Sequence, residues 1–202
     1  KQLSYVRFLL MAMYRDRFRE TVLAELLPPL LPDGRSLLWE WCGRKFTGLS
    51  YQEADKASRQ NKEFIQQLFP SGDIYASFFP ARAQRVIGQV GPETEGVKRL
   101  LERIGFKYVD RIDPFDGGPH FEAKVSDVTL IKRYRVAKLG DAPLDRPGTE
   151  SLAAVVRPGG RNRFRCVKTS VRFRNDEVLL ADDAADALGA RPGTRIHLIP
   201  FE

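Results

Sequence analysis

The chain has 202 residues, 43% of them hydrophobic, enough to bury one good core and a second small one. It holds no run of about 18 apolar residues and nothing that reads as a signal peptide, so a membrane-spanning helix is excluded and a cytoplasmic protein is expected. Thirty-three basic against 26 acidic residues give a net charge of +7, which suits nucleic acid, an anionic cofactor or an acidic partner without choosing among them.

Leu3 to Tyr14 is apolar almost all round, with Leu3, Val6, Leu10 and Met13 on one face, and reads as a buried helix. No capping residue precedes it. Lys1 and a free amine would set positive charge against the positive end of the helix dipole, where negative groups are favoured by roughly 0.3 to 1 kcal/mol, so an anion is expected there. Thr21 to Leu26 reads as a short strand, and Pro28, Pro29, Pro32 and Gly34 force a loop. Ser36 is an N-cap candidate for a short helix ended by Gly43. Trp41 to Phe46 echoes Arg103 to Tyr108, a hint of an internal repeat of strand, helix, glycine and strand. Ser50 with Glu53 is a capping box. Asn61 opens a further helix with Phe64, Ile65 and Leu68 inward and Pro70 as stop; Ile74 to Phe79 reads as extended, and Pro80 as a helix start.

The block from Arg85 to Lys124 organises the rest. Val97, Leu100, Leu101 and Ile104 line one face of a helix that starts near Pro92 and Thr94 and closes at Gly105. A β-rich run through Ile112, a turn at Asp116-Gly117-Gly118-Pro119 and a second strand follow. After a Pro- and Gly-rich stretch from Gly140 to Thr149, four alternating segments and a short helix from Asp183 to Leu188 make a small β-rich unit. Its Arg157, Arg161, Arg163, Arg165, Lys168, Arg172 and Arg174 form either a solvated face or an anion-contacting one. Cys42 and Cys166 stand outside any metal-ligand spacing, so they read as ordinary buried thiols and no metal is expected.

Val86-Ile87-Gly88-Gln89-Val90, Gly105-Phe106, Ile112-Asp113, Phe115 to Pro119 and Glu122, in that order, resemble arginine N-succinyltransferase, a GNAT-like acyltransferase family. The resemblance implies an α+β fold: a GNAT-like lobe of mixed sheet and helices over residues 1–139, then a small β-barrel-like subdomain over 140–202. It implies acyl-CoA, succinyl-CoA or similar, as co-substrate. The first helix matches the one that follows the family's phosphate-binding loop, which assigns Lys1, Gln2 and Ser4 to the cofactor. That loop is missing, so a separate N-terminal acyltransferase chain is expected as partner in a heteromer.

Transfer from a thioester to an amine needs a proton for the departing thiolate. The family's proton-donating His follows the Val86–Val90 string, and here that position is Gly91. His120 and Tyr75 are the substitute candidates; His120 also reads as an exposed turn residue, and His197 as a strand histidine without a role. Glu25, Asp113 and Asp116 match family positions that would bind a guanidinium or ammonium, or else are turn acids. Leu27-Pro28 replaces a family arginine, and a Gly-rich segment near Ser58 is lost. The expected function is therefore N-acyl transfer to arginine or a related amine, with a non-catalytic subunit of such an assembly, or a basic nucleic-acid-binding protein, as alternatives.

Overall fold

A computed structural model describes residues 1–61, 63, 67, 69, 71–157, 159 and 163–201. The chain forms two compact units, Thr21–Ala123 and a second built from Lys1–Glu20 with Lys124–Glu202. These are not the linear segments 1–139 and 140–202, because the first helix and residues before 140 are used by the second unit.

In that second unit, α1 (Gln2–Met13) packs on the barrel strands β5 (Thr149–Val156) and β8 (Arg195–Pro200). It is not buried all round. Tyr5, Phe8 and Leu9 face inward, Leu10 and Met13 are half-buried, and Leu3 is 84% exposed. A uniformly apolar helix does not fix its own buried face; here the edge-on contact of Tyr5 with Phe201, at 5.3 Å between ring centres, sets the rotation. After the short helix α7 (Thr129–Lys132), β4 (Arg135–Leu139) pairs antiparallel with β8 and parallel with β7 (Glu177–Leu179). With β6 (Phe164–Arg174) the five strands close in the order β4-β7-β6-β5-β8. Inward-facing Leu139, Val155, Val178, Ile196 and Leu198 fill the barrel, with Leu188 of α8 (Asp182–Leu188) added to the core. Both cysteines are free, and burial pushes both thiols up, Cys166 to about 11. Among the described residues no helix is long and apolar enough to cross a membrane.

The unit Thr21–Ala123 contains a three-stranded sheet in the order β1 (Thr21–Glu25), β3 (Pro119–Lys124), β2 (Lys107–Ile112), whose last strand residue, Lys124, already belongs to the other unit. β2 and β3 are antiparallel, with an irregularity between Tyr108 and Ile112 where Asp110 has φ 55°. Ser36 caps α2 (Leu37–Trp41) by accepting from the Trp39 N–H at 3.1 Å, and the Ser50–Glu53 capping box of α4 (Tyr51–Gln60) is complete. The short helices α3 (Gly43–Thr47) and α5 (Ala81–Gln84) complete the first part.

Three expectations fail here. Phe46 lies in a helix, not a strand, so the echo of Trp41–Phe46 in Arg103–Tyr108 is not a structural repeat; Gly43 continues the helical path because the Trp39 ring occupies the space a Cβ would take. Ile74 to Phe79 is not extended but holds a 3-10 turn at Ala76–Phe78. In α6 (Glu95–Arg103) Leu101 is buried and Ile104 follows it, yet Val97 is 45% exposed. The helix expected from Asn61 to Pro70 falls largely outside the described residues.

Candidate active site

The hairpin turn between β2 and β3 is fixed by its two aspartates. Asp113 Oδ1 accepts from the Phe115 N–H at 2.7 Å, and Asp116 Oδ1 from the Gly118 N–H at 2.8 Å. Gly117 stands at φ 83°, and its carbonyl accepts from the Gly88 N–H at 2.8 Å, which joins the 86–90 segment to the turn. That segment is turn and irregular backbone; no strand carries Val90. Phe115 stacks on the fully buried Trp39, 5.0 Å between centres and 8° from parallel, so the turn is held from beneath as well.

Asp116 is 5% exposed, and its Oδ2 accepts from the Tyr51 hydroxyl at 3.1 Å. Burial pushes its carboxyl above the usual range, the Gly118 N–H opposes this, and Asp113 and then Glu25 push it up from nearby. Asp116 thus lies within the field of two further carboxylates. Burial, with Asp116 and Asp113 beside it, also raises Tyr51, so its hydroxyl stays protonated and donates. Asp116 spends both oxygens on this scaffold, whereas Asp113 Oδ2 has no hydrogen-bond partner among the described residues.

His120, the second residue of β3, is not an exposed turn residue. Its side chain is 15% exposed, with Nε2 3.6 Å from Glu25 Oε1 and without a hydrogen-bond partner among the described residues. Tyr75 is 66% exposed and meets Phe78 edge-on; no recorded contact joins it to the carboxylates. His197 accepts from, or donates to, the Tyr134 hydroxyl at 2.5 Å in the other unit. Lys1 lies over the rings of Tyr5 and Phe201, at 5.6 and 5.2 Å. Gln2 is exposed and Ser4 half-buried; the first turn of α1 has neither an acidic residue nor a side-chain cap.

Two glycines close on the backbone that follows β1. A Cβ on Gly118 would come 2.2 Å from the Leu26 carbonyl oxygen, and one on Gly91 would come 2.5 Å from that of Pro28. Gly91 N–H also donates to the Leu27 carbonyl at 2.8 Å, and Thr94 Oγ1 to the same oxygen at 2.9 Å. The position at which the resemblance calls for histidine therefore has no room for a side chain.

The family model described as arginine N-succinyltransferase beta subunit matches residues 1–130, and the one for that subunit's C-terminal domain matches residues 132–200. The chain belongs to the arginine N-succinyltransferase family. Relatives include the arginine N-succinyltransferases of Escherichia coli, 33% identical over 199 residues, and of Salmonella newport, 33% identical over 201. Each alignment covers 98% of this chain and 57% of the relative, so the chain spans little more than half the length of these family members. A solved structure, the arginine/ornithine succinyltransferase subunit AI from Pseudomonas aeruginosa, superposes with a TM-score of 0.80 at 31% identity, over 98% of this chain and 56% of that one. The α+β, GNAT-like fold with its closed C-terminal barrel is thus that of the family.

Sequence reasoning missed Tyr51 and Ser36 as parts of the site; the Ser36 hydroxyl donates to the Asp116 carbonyl at 3.3 Å. The Ser50–Glu53 capping box does fix Tyr51 as the first residue of α4, but nothing local in the sequence shows that it reaches Asp116, 65 residues on.

Proposed function

We propose that this chain carries the C-terminal part of an acyl-CoA-dependent N-acyltransferase that moves a succinyl group from succinyl-CoA to an amino group of arginine or a closely related amine. It acts with an N-terminal acyltransferase region supplied by a partner chain, in the cytoplasm. The observation that carries the reading is the placement of His120 against Glu25, on the strand beside the very backbone that excludes a side chain at Gly91.

In the reaction the amine attacks the thioester carbonyl, a C–N bond forms, the C–S bond breaks, and the thiolate leaves more readily if a proton is delivered to it. His120 is the donor, oriented by Glu25. The carboxylates of Glu25, Asp113 and Asp116 make an acidic wall for the guanidinium or ammonium, with Asp113 Oδ2 available for a charge-assisted bond and Asp116 shaping the turn. Tyr75, exposed and in contact with Phe78, is the weaker donor candidate. At the start of α1 the free N–H groups of the first turn, with Lys1, Gln2 and Ser4, suit the pyrophosphate of coenzyme A.

A second reading, a non-catalytic subunit of the same assembly, is favoured by Gly91. A thiol-release assay with succinyl-CoA, with arginine and ornithine as acceptors and with or without the N-terminal chain, separates the two. Transfer that requires both chains and disappears in the His120→Gln variant supports the catalytic reading. Transfer indifferent to this chain, or absent whatever N-terminal chain is added, supports the other.

A further inference from the structure

A cavity of about 610 Å³ lies wholly within the unit that contains the barrel, between the C-terminal end of α1 and the β5–β6 hairpin. Its walls carry Arg17, Arg157 and Arg163 together with Tyr14, Phe18 and Phe164, and no acidic residue. Among the described residues none of the three guanidinium groups has a carboxylate partner within ion-pair distance. Arg157 donates to the Gly189 carbonyl, and Arg17 lies 4.9 Å from the centre of the Tyr14 ring. Elsewhere in the same unit two barrel cations do find carboxylates: Lys168 pairs with Glu150 at 2.5 Å and Arg172 with Asp145 at 2.8 Å. The cavity thus gathers three cations without carboxylate partners around three half-buried rings.

Arginine recognises phosphate through paired N–H groups in a planar fork, and aromatic faces stack on nucleobases. A volume of this size falls in the range that holds one small ligand. We infer that this cavity binds a nucleoside phosphate, its phosphates on Arg17 and Arg163 and its base between the rings of Tyr14, Phe18 and Phe164. The limited volume favours a single nucleotide over a nucleic-acid strand. The shared chemistry is a phosphorylated purine, which a free nucleotide and the nucleotide end of coenzyme A both present. The inference does not rest on the acyl-transfer reading, since it uses no residue of that site.

The test is equilibrium binding by calorimetry to the intact chain, with ATP, coenzyme A, adenosine and inorganic tripolyphosphate as separate ligands. Saturable binding of ATP or coenzyme A is expected, with adenosine and tripolyphosphate each weaker by about ten-fold or more, since each lacks one half of the recognition. The tighter of the first two names the source. Arg163→Ala and Arg17→Ala, both exposed positions that leave the barrel core intact, are each expected to weaken binding by about ten-fold or more. A Tyr14→Phe control keeps the ring and should bind as the parent does. No saturation by either nucleotide at millimolar concentration would overturn the inference, as would unchanged affinity in both arginine variants. So would a twelve-residue oligothymidylate that binds more tightly than either nucleotide and weakens steeply with salt, because the face would then be a nucleic-acid surface.

Discussion

Gly91 is the position on which the proposed chemistry turns, and its steric setting can be tested by adding one methyl group. In Gly91→Ala the new Cβ would lie 2.5 Å from the Pro28 carbonyl oxygen, about 0.9 Å inside the 3.4 Å at which ordinary contact begins, and 2.8 Å from the carbonyl carbon. Both are backbone atoms and cannot rotate away. Forcing extra volume into a packed site costs about 1–3 kcal/mol. The shift needed to relieve it also strains the Gly91 N–H to Leu27 hydrogen bond, worth about 0.5–1.5 kcal/mol. The expected loss is therefore about 2–4 kcal/mol, or about 4–16 °C in Tm at the roughly 2–4 °C per kcal/mol of a chain this size. Both tryptophans, Trp39 and Trp41, lie in the unit Thr21–Ala123, so thermal unfolding followed by tryptophan fluorescence reads the affected unit directly. Gly91→His is expected to lose at least as much stability and to gain no turnover. A Gly91→Ala midpoint within about 1 °C of the parent would show that the Pro28 backbone gives way readily, on the same scale, and the steric ground for assigning the proton to His120 would be gone.

Asp116→Asn keeps an oxygen for the Gly118 N–H while removing a buried charge. Because the folded carboxyl lies above its ordinary value of 3.8, the charge destabilises the fold once pH exceeds that value. The variant should match the parent in Tm under more acidic conditions and exceed it at pH 7, while its KM for the amine rises; a variant less stable at pH 7 would contradict this. Tyr51→Phe removes a hydroxyl that lowers the Asp116 carboxyl, so that carboxyl should titrate at still higher pH, read by NMR of the side-chain carboxyl carbon. No upward movement would show the bond to be unimportant. Trp39→Ala removes a fully buried ring that stacks on Phe115 and should cost about 3–5 kcal/mol, with loss of transfer activity as the turn loosens. A loss of less than 1 kcal/mol, well below that range, would mean the turn is held by its aspartates alone.

Much of the fold could be read from the residues, because the signals were local. The Ser50–Glu53 box, Ser36 as a cap and the glycine after Ile104 all act within a few residues, and each element stands where its pattern puts it. What was not legible depends on distant partners. Arg135–Leu139 carries little strand signal of its own and becomes a barrel strand by pairing with β8, some 60 residues later. Phe46 stands three residues after a glycine as Tyr108 does, yet the glycine at 43 serves a ring and the one at 105 ends a helix with φ 105°. At the site, the acidic turn and His120 were visible as residue types, whereas the Pro28 carbonyl against Gly91 and the hydroxyl of Tyr51 on Asp116 exist only after the chain has folded.

The most direct test is the rate of thiol release from succinyl-CoA with arginine, for His120→Gln against the parent, each with the proposed N-terminal region and each checked for an unchanged Tm. A positioned proton donor contributes about 10²–10⁴-fold, so turnover is expected to fall by at least about 100-fold. Turnover within about two-fold of the parent, far short of that range, would place the proton donor elsewhere and leave this histidine a neighbour of Glu25 without a part in the chemistry.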